Sequence, residues 1–489
     1  MFVYRCICLL LMSAPLVIQC RELQFFAKSD INSGSIISID ASKPSTDDIT
    51  FYAEFSLDAY TVNTISVYNF TDLKYGFGIL QVHSCWYNLT LSYNRTIQRN
   101  FHENGTDLGL TLYPWQQNPQ ELYVHNHNYF TSVNISVALI LYNKTTPEPG
   151  GCNMEYPMAN TPLLIVTFHK KFMNVDTPLA AFRADESNEV KRCNASLSYI
   201  GYHLYLNRGD YTCRSLFDGI KSFMTVGGIE EMGIPSAAVP GGAAHRRSYV
   251  TVPGTGIVFQ TIVSGEAGTS SYVPRFTTSC SPPLLETSCD AFDSALYRVL
   301  AGLLVSVGII RAYFCDFLKA IGVFIDGFIF GLLLTFNLTH LSEANTFEDK
   351  AEQILFTCAL FVAMLITLVF TCFEILRSCF ICLPTVIVGW LLGAVIVYFT
   401  DDLFYELKSY GWMYETVFIA SIVGVTILIS PLKTLGPLIL GATSGSFYIV
   451  HGFCIAYGNH LNYVILNALR YTLDKDFRKV HSTPSTNVE

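Results

Sequence analysis

Between residues 35 and 280 apolar and polar positions alternate in short runs, as in Ile49-Thr-Phe-Tyr-Ala-Glu-Phe55, Tyr87-Asn-Leu-Thr-Leu-Ser-Tyr93, Val133-Asn-Ile-Ser-Val-Ala-Leu-Ile-Leu-Tyr142 and Leu163-Leu-Ile-Val-Thr-Phe168. A period of two, rich in β-branched and aromatic residues and cut by Gly, Pro, Asn and Asp, predicts antiparallel strands. Two β-sandwich or jelly-roll-like modules follow, over residues 21–148 and 149–290. Their boundary falls at Pro147-Glu-Pro-Gly-Gly-Cys152, where chain breakers cluster. The Gly-, Ala- and Pro-rich stretch 227–256 reads as a long loop, and its His245-Arg-Arg-Ser segment as a solvated basic turn in preference to a processing site.

The pattern changes after residue 290. Six apolar stretches, about 296–314, 317–337, 353–373, 380–400, 415–432 and 434–457, each approach the ~20 residues that span a bilayer. They define a multi-pass helical domain over 291–458. The turns carrying Arg311 with Lys319, Arg377 and Lys433 are short and basic, whereas 337–352 and 400–415 are longer and acidic. Positive charge marks the cytosolic side, so the amino-terminal region is extracellular or lumenal. Residues 459–489 form a short apolar segment, Leu461 to Leu469, and a polar tail. Residues 459–474 either make a short, tilted or re-entrant seventh segment or lie as an interfacial helix on the outer face, the reading preferred here.

Aligned on the cytosolic turns, the helices repeat. Lys319 is followed by Gly322, Gly327 and Gly331, and Lys433 by Gly436, Gly441 and Gly445 at the same offsets. From Ile381 these offsets reach Pro384, Gly389 and Gly393. Three helical hairpins result, each second helix bearing a pair of glycines four apart (Gly327 and Gly331, Gly389 and Gly393, Gly441 and Gly445) that lets helices approach closely.

Composition agrees: 51% of the 489 residues are hydrophobic and 14% charged, against about 25% charged in soluble domains. The net charge of −9 is dispersed, without a basic run to track a phosphate backbone, so nucleic acid is excluded as a partner. Residues 1–20 read as a signal peptide, with Arg5 before an apolar run from Ile7 to Ile18. Sequons recur at Asn69, Asn88, Asn94, Asn104, Asn134, Asn143, Asn194 and Asn337, as on a glycosylated surface. Six cysteines of the β-rich region, Cys85, Cys152, Cys193, Cys213, Cys280 and Cys289, predict three disulfides in an oxidising compartment, with fifteen pairings open.

Candidate chemistry is sparse. Asp326 lies seven residues beyond Lys319, about 10 Å into the bilayer, where a carboxylate costs about 2.5 to 3.5 kcal/mol. It is either a proton or cation site, with His451 as partner, or a buried structural carboxyl. His125 and His127 share a strand face and lack a third ligand, so they read as an exposed polar strand in preference to a metal site. Cys379-Phe-Ile-Cys382 and Cys372 suit membrane packing or palmitoylation over redox chemistry. No hydrolase elbow, zincin pair or Walker loop occurs, and neither a cofactor nor a metal is expected.

The glycosylated β-rich ectodomain, the Gly-Gly-Cys-Asn-Met-Glu-Tyr segment at 150–156 and the hairpin from Lys319 to Phe336 together resemble the seven-transmembrane superfamily member 3 proteins. The resemblance implies an integral membrane protein without an established enzymatic activity, associated with cell survival under stress, and a further span near the carboxyl end. The expectation is a non-enzymatic, receptor-like or regulatory glycoprotein of the plasma membrane, whose partners are the lipid bilayer and an extracellular ligand or membrane partner. The alternative is an ion or proton channel built on the hairpins and Asp326. A G-protein-coupled receptor is disfavoured by the short cytosolic turns, and a membrane hydrolase by the irregular spacing of His340, His451 and His460.

Overall fold

The computed structural model describes residues 32–313 except 43–48, 73, 117, 153–159, 169–171, 184–190, 194–196, 208, 237–244, 251–254, 266–267 and 279–294. Beyond these it describes 382–400, 411–432, 435–457, 480 and 481, with isolated positions such as 464, 467 and 468. The chain divides into two compact units, residues 1–144 with 154–161 and residues 145–153 with 162–489.

The first unit is a sandwich of two sheets. One contains β1 (Asn32–Asp40), β3 (Thr61–Tyr68), β8 (Gln120–Asn126), β5 (Leu89–Ser92) and β6 (His102–Gly105), in that order. The other runs β2 (Phe51–Leu57), β9 (Val133–Asn143), β4 (Tyr75–Ser84) and β7 (Asp107–Leu112). Alternate side chains meet between the sheets: Ile65 and Val67, Leu89 and Leu91, Leu122 and Val124 face Leu80 and Val82, Leu108 and Leu110, Ile135 and Val137. This is the period-two pattern of the sequence turned into one core. One pairing departs from it, because β1 joins β3 in parallel, Ile37 beside Ile65 and Ile39 beside Val67.

The second unit begins with a further pair of sheets. The larger runs β15 (Ile234–Ser236), β14 (Ser198–Tyr205), β17 (Gly256–Gly265) and β18 (Gly268–Ser271), with β19 (Arg275–Thr278) also on β17. The other runs β10 (Ile165–Phe168), β11 (Phe172–Thr177), β16 (His245–Val250) and β20 (Val480–His481). The segments β12 (Phe182–Arg183) and β13 (Lys191–Arg192) pair with each other. Beside β13, Cys193 is bonded to Cys152 with their Cα atoms 5.6 Å apart.

The stretch 227–256 is not one long loop. It contains part of α2 (Val226–Met232), which follows α1 (Cys213–Ser222), together with β15 and β16. Thr212 and Thr225 cap the two helices, their hydroxyls accepting from the N–H groups of Ser215 and Gly228, caps worth about 1 kcal/mol each. Gly228 is in the first turn because a Cβ there would collide with the Ser222 carbonyl oxygen. The glycines that read as loop therefore serve a tight helix entry. The basic triplet is likewise a strand: Arg246 forks onto Asp176 at 2.7 and 2.8 Å, and Arg247 is 2% exposed.

Among the described residues this unit also contains four apolar helices: α3 (Ala295–Tyr313), α4 (Cys382–Phe399), α5 (Gly411–Ile429) and α6 (Gly436–Tyr457). Among the described residues α6 is long and apolar enough to cross a membrane, while the described apolar parts of α3, α4 and α5 are shorter. A Cβ on Gly308 of α3 would sit 2.7 Å from the Gly445 oxygen, and one on Gly445 of α6 would sit 2.6 Å from the Gly308 oxygen. These backbones meet because neither residue has a side chain. Gly389 and Gly393 similarly seat α4 on Ile422 and Phe418 of α5. Gly445 thus meets α3, and Gly389 and Gly393 meet α5. Gly327 and Gly331 lie outside the described residues.

Candidate functional site

Two regions concentrate polar groups in the β-rich part. In the first sandwich, period two puts Thr90 and Ser92 of β5, His102 and Asn104 of β6, and His125 of β8 on one face, since cross-strand neighbours in register share a face. His125 is only 2% exposed, which corrects the reading of an exposed strand. Its Nε2 lies 3.2 Å from the Ser92 hydroxyl and its ring stacks on His127, whose Nε2 is 3.1 Å from the Thr90 hydroxyl. Burial, reinforced by the positive charge His127 and His102 would carry, holds the His125 pKa down to about 4. Short hydroxyl residues on the neighbouring strand leave room for the ring and supply its hydrogen bond. Among the described residues no group of three or more His, Cys, Asp or Glu is disposed to hold a metal.

On the other sheet His83 and Asp107 stand opposite each other in register, 2.9 Å apart and both buried. Sequence reasoning did not single out this pair. Alternation assigns it to the face opposite Leu80 and Val82, which reads as solvent-facing; the signal that could have found it is the like placement of polar Gln81 beside it.

In the second sandwich the buried polar groups include His203, Arg247, Tyr199, Tyr249 and Tyr272. Arg247 donates to the Tyr199 carbonyl at 2.8 Å, and its side chain fills the space a Cβ on Gly201 would need. Tyr249 and Ser236 share a hydroxyl hydrogen bond of 2.9 Å, and Tyr199 accepts from the Ala180 N–H at 2.9 Å. Tyr272 donates to the Pro178 carbonyl. Burial raises the phenol pKa values of Tyr249 and Tyr272, so both stay neutral donors. His203 packs edge-on to Tyr205 and against Tyr249, and burial lowers its pKa to about 3. These groups hold two sheets in register.

From this core a continuous cluster of buried apolar side chains runs into the helices. It links Tyr249, Val250 and Phe259 with Val480, and with Tyr398 at the end of α4 and Tyr414 near the start of α5. Tyr414 donates to the Ala468 carbonyl at 3.1 Å, and Val464 and Ala468 belong to the same cluster.

The sequence-predicted sites divide accordingly. Asn69, Asn88, Asn104, Asn134 and Asn143 are exposed and Asn94 is half-buried, so each described sequon is reachable. Asn194 and Asn337 lie outside the described residues. Cys152 and Cys193 are joined, and Cys85 and Cys213 are also disulfide-bonded; Cys280 and Cys289 lie outside the described residues. His451 stacks on Phe447 of its own helix, with ring centroids 5.9 Å apart. Asp326 lies outside the described residues, as do the signal-peptide stretch, Cys372 and Cys379.

Two family models match in tandem. Residues 45–142 match the TM7SF3-like N-terminal immunoglobulin-like domain, and residues 147–283 the TM7SF3-like second immunoglobulin-like domain. The chain is 26% identical over 457 residues to transmembrane 7 superfamily member 3 of Mus musculus, covering 87% of this chain and 78% of that protein. Against the Homo sapiens protein of the same name the identity is 26% over 429 residues, covering 82% and 72%. The second domain match ends at residue 283, so alignments of this extent necessarily continue into the helical region. With two immunoglobulin-like domains followed by helices, the chain is similar over most of its length to the transmembrane 7 superfamily member 3 proteins.

Proposed function

We propose that the protein is a non-enzymatic, receptor-like or regulatory glycoprotein of the plasma membrane, in which the immunoglobulin-like domains engage a partner and three helical hairpins anchor and transmit. The observation that carries this reading is the unbroken buried cluster from Tyr249 through Val480 to Tyr398 and Tyr414. A close-packed junction is bistable in preference to continuously deformable, so a partner that shifts the second domain changes the ends of α4 and α5. The exposed sequons supply glycan sites on the first domain, and the family resemblance supports a role in survival under stress. No observation favours the channel reading.

The test uses cells lacking the protein and scores survival under secretory stress. The full chain is expected to restore survival, and a chain lacking residues 45–142 is expected to reach the surface without restoring it. Full rescue by the shortened chain would defeat the receptor reading. Ion flux through proteoliposomes of the purified chain would do the same in favour of a channel.

A further inference from the structure

We infer that Arg247 holds a small monovalent anion of the chloride class between the two sheets of the second domain. Adjacent residues of a strand face opposite ways, and on β16 this separates two arginines. Arg246 is exposed and takes Asp176 as its counter-charge. Arg247 reaches the facing sheet, where its Cδ and Nε lie 2.8 Å from the position a Cβ on Gly201 would occupy. It is 2% exposed, donates through Nη2 to the Tyr199 carbonyl, and has its Nε buried without a hydrogen-bond partner. Among the described residues no carboxylate pairs with it. A guanidinium does not shed its proton inside a protein, and a charge taken out of water is costly until an opposite charge and further hydrogen bonds meet it. One neutral carbonyl supplies too little.

The groups around the guanidinium add donors, not acceptors of matching charge. One cross-strand row of the larger sheet reads Ser236, Gly201, Thr261, so a hydroxyl flanks Gly201 on each side and shares the face on which Arg247 rests. Thr261 shares a hydrogen bond of 3.1 Å with Thr177 of β11, and Ser236 one of 2.9 Å with Tyr249; all four residues are buried. In each hydroxyl pair one member donates and the other keeps its own hydrogen for a further acceptor. A guanidinium N–H between two such pairs is the donor set that ligates an anion. Two arguments limit the ion. A doubly charged oxyanion would leave one negative charge unmatched in the same interior. The neighbouring Tyr199, Tyr249 and Val263 belong to one buried apolar cluster, and an interior packed as densely as a crystal admits a monatomic ion more readily than a polyatomic one. Chloride is the abundant ion of that description in a medium of about 0.15 M ionic strength.

Amide hydrogen exchange of the full chain in detergent tests the inference, with sodium gluconate replaced stepwise by sodium chloride at constant ionic strength. An ion that binds the folded state alone stabilises it by mass action. Chloride is therefore expected to slow exchange several-fold in peptides covering β14 and β17, to saturate, and to leave β9 of the first domain unchanged. No response would overturn the inference. A response shared equally by β9, or one that rises without saturating, would mark a general salt effect and overturn it as well. Arg247→Met keeps much of the side-chain volume without the charge, and such replacements of a buried ion are often neutral or stabilising. The variant is expected to lose the chloride dependence and to exchange slowly at β14 and β17 in either salt. A folded Arg247→Met that still responds to chloride would overturn the inference, and if the variant does not fold, the chloride titration of the unaltered chain decides.

Discussion

His203 shows how one side chain ties the second domain to pH. It is fully buried, and its pKa of about 3 lies below the ordinary 6.5 because burial penalises the charged ring. The unfolded chain takes up this proton as pH falls below about 6.5 and the folded domain does not until about 3, so stability drops across that window. The contribution of one such group is about 1.4 kcal/mol per pH unit. Thermal unfolding of the domain followed between pH 7 and 4 is therefore expected to show a falling midpoint, and His203→Phe, which keeps the aromatic contacts with Tyr205 and Tyr249, to flatten the fall. An equally steep decline in the variant would show that another group titrates. His125, held at about 4 by burial and by its neighbours, acts in the same direction in the first domain.

At the scale of elements the packing of α3 on α6 depends on Gly308 and Gly445. Any Cβ at 445 would lie 2.6 Å from the Gly308 oxygen and 2.9 Å from the Ala312 Cβ, contacts in which backbone cannot give way cheaply. Gly445→Leu is expected to force the helices apart and remove most of the correctly assembled protein, as read by detergent-stable monodisperse yield. Gly424, around which a Cβ would meet nothing, should accept alanine without loss. The close approach at Gly389, Gly393 and Gly445 was legible in the sequence because close helix approach leaves a compositional trace. Which helices those glycines bring together was not, since spacing along one helix carries no information about the neighbour. The strands at 51–57 and 133–143 were legible through alternation, as was the pairing of Ile, Leu and Val between sheets. The burial of His125 was missed because a polar side chain on an alternating strand reads as solvent-facing, and the strand at 245–250 because the Gly-, Ala- and Pro-rich stretch around it reads as loop.

At the scale of the molecule, the disulfide between Cys152 and Cys193 pins the segment that leads into the second domain to the edge of that domain. Its loss removes a cross-link of a kind typically worth about 2 to 5 kcal/mol. Cys152→Ser is expected to be retained in the secretory pathway, with little mature protein in surface biotinylation; normal surface levels would show that the sandwich folds without it. The ectodomain fold and the helical region could be read from hydropathy alone, because both are dictated by repeating burial. The pairing of residues 480 and 481 with β16 could not, because it depends on one strand finding a partner far away in the chain.

The partners in that last pairing have a consequence for manufacture. Ser248 and Val480 are roughly 230 residues apart, and a ribosome adds about 5–20 residues per second. The second domain therefore waits on the order of tens of seconds, with one margin of its sheet open, while the helical region is made. Only a chain translated through position 480 can close it. Quality control that senses an open sheet margin would thus detect premature termination in the helices by inspecting a domain made long before.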